Sequence, residues 1–330
     1  MIRLQKADYH GIVLPDYGIG LDISRPGMAQ YTFISHAHAD HMPRDRAMSV
    51  YATPPTADFM RERGFRGDVH TLEFNEPLEM DHFRVTFFPA GHILGSAMTF
   101  IETGEGNLLY TGDYKTPPSP ASEGFELPDK PVHQFITEAT FSLPIYRWRM
   151  HEELFEEIRN FALEALDGGY TPIFLAYNLG KAQEVMHALA PLGHRVQIHG
   201  AGYKLCSTYE KFGIDLGHYE AYDRDRAEGA ILVTPTSVLS TVFASNIPKK
   251  RIAYCSGWAS LESRRTQLTV DKLIPLSDHL DFFALLDLCE QMQPELVYLT
   301  HTPNPDVLHH YLGEMGITSK SMDLEVPADE

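Results

Sequence analysis

Cysteine is scarce in this chain: three residues, Cys206, Cys255 and Cys289, an odd number with no C-x-x-C pair among them. A disulfide framework is not expected, and the thiols read as reduced in a reducing compartment, with the cytoplasm as the default. Long apolar runs are missing too. No stretch of about 18 apolar residues occurs, so no membrane-spanning helix and no membrane partner are expected. The opening Met1-Ile2-Arg3-Leu4-Gln5-Lys6-Ala7-Asp8 lacks the apolar core of a secretory signal. Repeats, low-complexity tracts and an obvious linker are also lacking. Basic charge is in deficit, with 27 Lys and Arg against 45 Asp and Glu and a formal net charge of −18. That balance argues against holding nucleic acid by broad phosphate neutralisation. A nucleic-acid role therefore predicts a local basic groove on an acidic body, supplemented by any bound metal ions.

What remains is the composition of an ordinary globular protein, 43% hydrophobic and 22% charged, and 330 residues suffice for one large domain with an insert. The first part alternates short β-patterned runs with turns. Strands are predicted at Gly20 to Ile23, Tyr31 to Ser35, Ser49 to Ala52, Val69 to Phe74, Phe83 to Phe88, Ala97 to Glu102, Asn107 to Thr111 and Gln134 to Thr137. Segments such as Ala97-Met98-Thr99-Phe100-Ile101 are too apolar to be exposed on both faces, so their sheet should be covered. The texture changes near residue 150. A helix over His151 to Leu166 ends at Asp167-Gly168-Gly169, a buried strand Pro172 to Tyr177 follows, and strand–helix alternation continues through Thr234. That pattern indicates an α/β layer with a partly parallel sheet. Strands at Arg251 to Tyr254 and Leu296 to Thr300 then flank a helix near Phe282 to Glu290, and a last helix runs from about Pro305 to Gly313 before an acidic tail.

The chemistry concentrates in Ser35-His36-Ala37-His38-Ala39-Asp40-His41, three histidines and one aspartate in six residues, directly after the apolar run Tyr31 to Ile34. Residues two apart on an extended segment face the same way, which lets His36 and His38 hold one metal, while a turn carries Asp40 and His41 to a second. Further donors stand where other strands meet loops, at Gly91-His92, Thr111-Gly112-Asp113 and Thr300-His301. Imidazole with carboxylate suits zinc first and manganese second. The remaining histidines, His10, His70, His82, His133, His151, His187, His194, His199, His218, His309 and His310, read singly as ordinary core or surface residues.

Together these segments resemble the metal motifs of the metallo-β-lactamase superfamily. The resemblance implies a fold of two face-to-face β-sheets with helices outside, an αββα sandwich of the α/β class. It implies one divalent ion on His36, His38 and His92, a second on Asp40, His41 and His301, and Asp113 between them. Leu21-Asp22-Ile23 resembles the early strand whose aspartate orients the ligand loop. Within the superfamily three further features resemble the β-CASP nucleases: Glu138 in Phe135 to Phe141, His279 in Ser277-Asp278-His279-Leu280-Asp281-Phe282, and the α/β segment between them. Ile173 to Glu184 resembles the start of the β-CASP insert, with Lys181-Ala182-Gln183 where the family usually has Arg-Ala-Gln. The implied organisation is residues 1–145 as the first part of the metallo-β-lactamase domain, 146–250 as the insert and 251–330 as the completing part. Gly91 to Ser96, Gly112 to Lys115 and Thr137 to Arg147 are most similar to bacterial DNA ligase-associated exonucleases, relatives of Artemis and of the messenger-RNA 3′-end-processing endonuclease.

The resemblance implies a two-metal phosphodiesterase that removes nucleotides from a DNA end in repair, beside a DNA ligase and a helicase. Two ions about 3.5–4 Å apart suit in-line phosphoryl displacement. Asp113 would hold the pair, Asp40 would help orient the attacking water, His279 would contact the scissile phosphate or protonate the leaving oxygen, and Glu138 would fix a histidine tautomer. Lys115, Arg147 and Lys181 are candidate phosphate contacts, with an ordinary surface residue as the alternative reading for each. A ribonuclease of the same group is the close alternative, since any polar side chain can recognise a 2′-OH. A lactonase or thioesterase of the same fold needs neither the insert nor the His279 motif. A metal-free scaffold is disfavoured because every ligand position is filled.

Overall fold

The structure is a computed structural model describing residues 1–7, 11–45, 47–241, 247 and 249–322. His10 and the acidic tail from residue 323 lie outside the described residues. The chain forms two compact units. One comprises Met1–Pro118, Ser122–Arg147 and the described residues from His279 onward; the other comprises Trp148–Asp278 with Ser119–Ala121.

The first unit contains two sheets. In one, β1 (Gln5–Lys6), β2 (Ile12–Leu14), β3 (Ile19–Leu21), β4 (Tyr31–Phe33), β5 (Val50–Ala52) and β6 (Val69–Thr71) lie in sequence order. In the other, β7 (Leu78–Glu79), β8 (Phe83–Pro89), β9 (Ala97–Thr103), β10 (Gly106–Tyr110), β11 (Gln134–Glu138), β18 (Leu296–Thr300) and β19 (Thr318–Ser321) follow one another across the sheet. The period of two decides which side chain goes where. Phe83, Val85, Phe87, Ala97, Ile101, Leu108, Tyr110 and Ile136 face one apolar cluster, which they share with Ile12, Leu14, Ile19, Leu21 and Phe33 of the first sheet. Their neighbours Met98, Phe100, Leu109, Phe135, Val297 and Leu299 face the opposite cluster with Phe282, Leu285, Leu308 and Leu312 from the helices Phe282–Met292 and Pro305–Glu314. Burial on both faces is why these strands read as near-continuous apolar runs.

Strand direction positions the site. β10, β11 and β18 are parallel neighbours, while β8 and β10 each run antiparallel to β9. All four therefore end at the same edge of the sheet; Glu138 is the last residue of β11, and Asp113, His301 and His92 follow the ends of β10, β18 and β8. The helix Pro54–Glu62, capped by Thr53 and opened by two prolines, was not singled out by periodicity because its apolar face is short.

The second unit is built on a parallel sheet in the order β14 (Tyr219–Ala221), β13 (Val196–Ile198), β15 (Ile231–Thr234), β12 (Thr171–Leu175), β16 (Lys250–Cys255), β17 (Lys272–Ile274). The helices His151–Asp167, Lys181–Leu189 and Gly200–Lys211 alternate with its strands. This unit runs past residue 250, where the family resemblance places the end of the insert. β16 pairs with β12 from Thr171↔Lys250 to Leu175↔Tyr254, and β17 extends the same sheet. An apolar run announces a strand, but long-range pairing alone assigns it to a sheet.

Candidate metal centre

The loop after β4 carries His36, His38 and His41 into the edge of the first unit, all three buried. Its position is fixed from both sheets. The Ser35 carbonyl accepts a hydrogen bond from Ala97 N at 2.8 Å, and Ser35 N donates to Asp22 Oδ1 at 2.7 Å. Asp22, directly after β3, adopts the left-handed region, φ 49°, and its side chain is buried. The opposing turn is held equally close: at Gly112, φ 55°, an added Cβ would stand 2.4 Å from Ser35 Cβ. Only glycine satisfies both the backbone angle and that approach.

These contacts set histidine tautomers. The Ser35 hydroxyl donates to Asp22 Oδ2 at 2.6 Å and has no second proton, so its oxygen is the acceptor for His36 Nδ1 at 3.0 Å. His41 Nδ1 donates to Asp22 Oδ2 at 2.7 Å. The nitrogen that both rings turn toward Asp113 is therefore Nε2; Asp113 Oδ2 lies 3.6 Å from His36 Nε2, 3.5 Å from His41 Nε2 and 3.8 Å from His92 Nε2. His36 Nε2 is buried with no hydrogen-bond partner. His38 turns Nδ1 inward, 3.1 Å from His92 Nε2.

The donor atoms of His36, His38, His92 and Asp113 all lie within 4.8 Å of one another, as do those of His41, Asp113 and His301. Donors about 2.0–2.1 Å from one ion at tetrahedral angles stand roughly 3.4 Å apart. The spacing around Asp113 is close to that value and longer than a hydrogen bond, so these residues fit divalent metal better than they fit one another. Asp113 belongs to both groups. Asp40 sits at the rim, partly exposed, its Oδ2 3.8 Å from His41 Nε2. His301 holds φ 48° directly after β18.

Electrostatics follow the packing. Burial, then the proximity of His41, pushes the His36 pKa well below the imidazole range. Burial acts the same way on His41, but the Asp113, Asp40 and Asp22 carboxylates outweigh it and hold that pKa well above the usual value. Burial would raise the Asp113 pKa; His41, His279 and His36 hold it well below the carboxylate range instead.

Beside the donors lies a second pair. Glu138, fully buried at the end of β11, accepts from His279 Nδ1 at 2.9 Å through Oε1. Its Oε2 accepts from Thr140 N at 2.9 Å and Thr140 Oγ1 at 2.7 Å. The His279 ring centroid stands 4.9 Å from that of His92, and the donor atoms of Asp113, Glu138 and His279 also cluster within 4.8 Å.

The three candidate phosphate contacts separate. Lys115 is 3% exposed and Lys181 is 3% exposed; the Lys181 ammonium lies 2.7 Å from Asp278 Oδ1 inside the second unit. Burial removes both from any solvent-facing groove, whereas Arg147 is exposed. The sequence reading missed Ser35, Tyr110 and Thr140. Tyr110 OH donates to Asp22 Oδ2 at 2.8 Å; a hydroxyl at a strand end carries no signal until its partner is known. Of the other histidines, His70 meets Ser49, His133 accepts from Asn107 N, His151 stands against Glu184, and His309 meets Ser319 and Ser321.

No family model matches this sequence. The chain is 33% identical over 295 residues to a probable DNA ligase from Opitutus terrae, a match covering 88% of this chain and 28% of the ligase. It is 28% identical over 178 residues to an RNase J-like protein from Methanocaldococcus jannaschii, covering 46% of this chain and 41% of that protein. It is 29% identical over 192 residues to the 5′ exonuclease Apollo of Rattus norvegicus, covering 52% of this chain and 34% of Apollo. The chain thus spans less than half the length of these relatives. A crystal structure of a protein of unknown function from Enterococcus faecalis V583 superposes with a TM-score of 0.58 at 17% identity, over 91% of this chain and 81% of that one. That likeness is one of fold.

Proposed function

We propose that this chain, which belongs to the β-CASP nucleases of the metallo-β-lactamase superfamily and is related to Artemis, hydrolyses the phosphodiester backbone of DNA from an end with two divalent ions. The observation that carries the reading is the Asp113 carboxylate standing 3.5–3.8 Å from ring nitrogens of His36, His41 and His92, with His279 and Glu138 beside it. In this reading His36, His38 and His92 hold one ion, Asp40, His41 and His301 hold the other, and Asp113 is shared. Zinc suits the donor set first and manganese second. The first unit corresponds to an αββα sandwich and the second to the β-CASP insert; the apolar cluster common to both sheets of the first unit supports this.

Divalent ions held by these residues would supply Lewis acidity, lowering the pKa of the attacking water and offsetting charge on the phosphoryl and leaving oxygens. The chain's own groups do the rest. Asp22 keeps the Nδ1 proton on His41 and, through Ser35, on His36, so both present Nε2 as a ligand. Glu138 keeps the proton on His279 Nδ1 and stabilises the ring when it is charged, leaving Nε2 to donate a proton to the departing oxygen. Thr140 pins Glu138 so that the pair keeps one geometry.

Similarity to a probable DNA ligase over most of this chain and to a 5′ exonuclease supports DNA as the substrate; a DNA ligase and a helicase as repair partners belong to the same proposal. Similarity to an RNase J-like protein supports a second reading, a ribonuclease of the same group. Among the described residues no helix is long and apolar enough to cross a membrane. The deciding experiment gives metal-stripped protein 5′-labelled single-stranded DNA or matching RNA, adds zinc or manganese, and resolves products by single nucleotides. Metal-dependent shortening of DNA with RNA spared is expected. Cleavage of RNA alone moves the protein to the second reading, and cleavage of neither overturns both.

A further inference from the structure

The Tyr146-Arg147-Trp148-Arg149 run joins cations to aromatics, and its members part company in the fold. Tyr146 is buried against Phe141, ring centroids 4.8 Å apart. Arg149 pairs with Glu157 inside the second unit. Arg147 instead extends over the face of Phe283, guanidinium carbon 5.3 Å from the ring centroid. Phe283 is 39% exposed and Tyr311 38% exposed, both large for aromatic rings in a unit with a well-filled core. Between them lies the buried ring of Phe282, 5.3 Å from Phe283 and 5.1 Å from Tyr311, each contact edge-on. The backbone beneath is fixed, because Asp281 caps the helix and its Oδ1 accepts from Ala284 N at 2.9 Å. The result is two solvent-facing rings and one cation, held by a rigid helix start.

This patch is tied to the candidate metal centre by a short chain of packed rings. Phe283 follows His279 by four residues, and Tyr146, next to Arg147, packs on Phe141, whose ring stands 6.1 Å from His279. A chain with net charge −18 gains little from general attraction to a polyanion. It must hold nucleic acid by a local cation and by contacts that do not depend on charge, which base–aromatic stacking provides. Exposed aromatics beside an arginine also match a nucleobase with its phosphate better than they match an aliphatic surface.

We propose that Phe283, Tyr311 and Arg147 form a platform on which single-stranded DNA stacks a base near the cleaved linkage, with Arg147 against the adjoining phosphate. The proposal rests on the phosphodiesterase reading for its location, but its test is one of binding. An oligodeoxynucleotide carrying 2-aminopurine at successive positions is titrated into the full-length, metal-loaded protein, and cleavage of the same strand is followed in parallel. Fluorescence quenching at one position is expected in the wild type. Phe283→Ala should weaken binding about 10-fold and abolish the quenching, with the loss in KM rather than kcat. Phe283→Trp should restore both and Phe283→Leu neither, which a purely structural role for the ring would not produce. Tyr311→Ala should show a smaller loss of the same kind. Wild-type affinity in Phe283→Ala or Phe283→Leu overturns the platform, as does a wild-type dimer that Phe283→Ala dissociates, since the patch is then a self-association face. Quenching that depends on Phe283 without cleavage keeps the platform while removing the nuclease reading, so the two fail separately.

Discussion

Substituting Asp22, which is not in the expected ligand set, should weaken one metal far more than it weakens the fold. Asp22 accepts four hydrogen bonds: from Ser35 N at 2.7 Å, Ser35 Oγ at 2.6 Å, His41 Nδ1 at 2.7 Å and Tyr110 OH at 2.8 Å. Asp22→Ala would orphan four buried donors at about 1–3 kcal/mol each, a sum comparable with the whole stability of a domain, about 5–15 kcal/mol. Its phenotype would be unfolding. Asp22→Asn keeps the shape and tolerates the left-handed backbone at φ 49°. Its amide nitrogen is a donor facing three former donors. The hydroxyls of Ser35 and Tyr110 can rotate to accept, but His41 must move its proton from Nδ1 to Nε2. That proton then occupies the atom facing Asp113 and Asp40. Loss of such an orienting partner typically weakens metal binding about 10- to 100-fold, or roughly 1.4–2.8 kcal/mol. Competition between metal-stripped protein and a chromogenic chelator should show the zinc held by His41 weakened by that factor and the zinc held by His36, which Asp22 orients only through Ser35, weakened less, with circular dichroism unchanged. Two zinc ions at wild-type affinity in Asp22→Asn would refute the tautomer argument.

Asp113→Ala should lower cleavage by at least about 10³-fold, several kcal/mol of transition-state stabilisation, while the protein stays folded; a fully active variant sinks the two-metal assignment. Lys181→Met should destabilise the second unit, by at most about 3–5 kcal/mol, because it removes the ammonium 2.7 Å from the Asp278 carboxylate; a urea midpoint equal to wild type would show the pair to be dispensable. Burial pushes the Cys206 and Cys289 thiols up to about 12. A raised thiol pKa keeps the unreactive protonated form dominant until the pH nears that value, so an aromatic disulfide reagent at pH 8 should label none of the three buried cysteines, Cys206, Cys255 and Cys289, in the folded protein and all three in urea. Rapid labelling without denaturant would contradict their burial.

Much of this protein was legible because its signals are local. Strand alternation at Phe83 to Phe88 and Ala97 to Glu102 sorts side chains onto two faces by covalent geometry alone, and helix periodicity marks His151 to Leu166 in the same way. The density of His36, His38, Asp40 and His41 within one loop makes them neighbours in any fold, so sequence alone identifies a cluster of metal donors. What sequence could not decide depends on closure between distant segments. Tyr110 and Asp22 meet across 88 residues and His279 and Glu138 across 141, and a hydroxyl or carboxylate has no function until such a partner arrives. Likewise Lys115, Arg147 and Lys181 are indistinguishable as cations in a string of letters. Tertiary packing buries two and leaves Arg147 over Phe283, because the desolvation that separates a structural lysine from an available arginine is a property of surroundings, not of sequence. The strand at Arg251 to Tyr254 makes the same point for architecture: its apolar pattern fixes that it pairs, and only the free edge of β12 fixes with what.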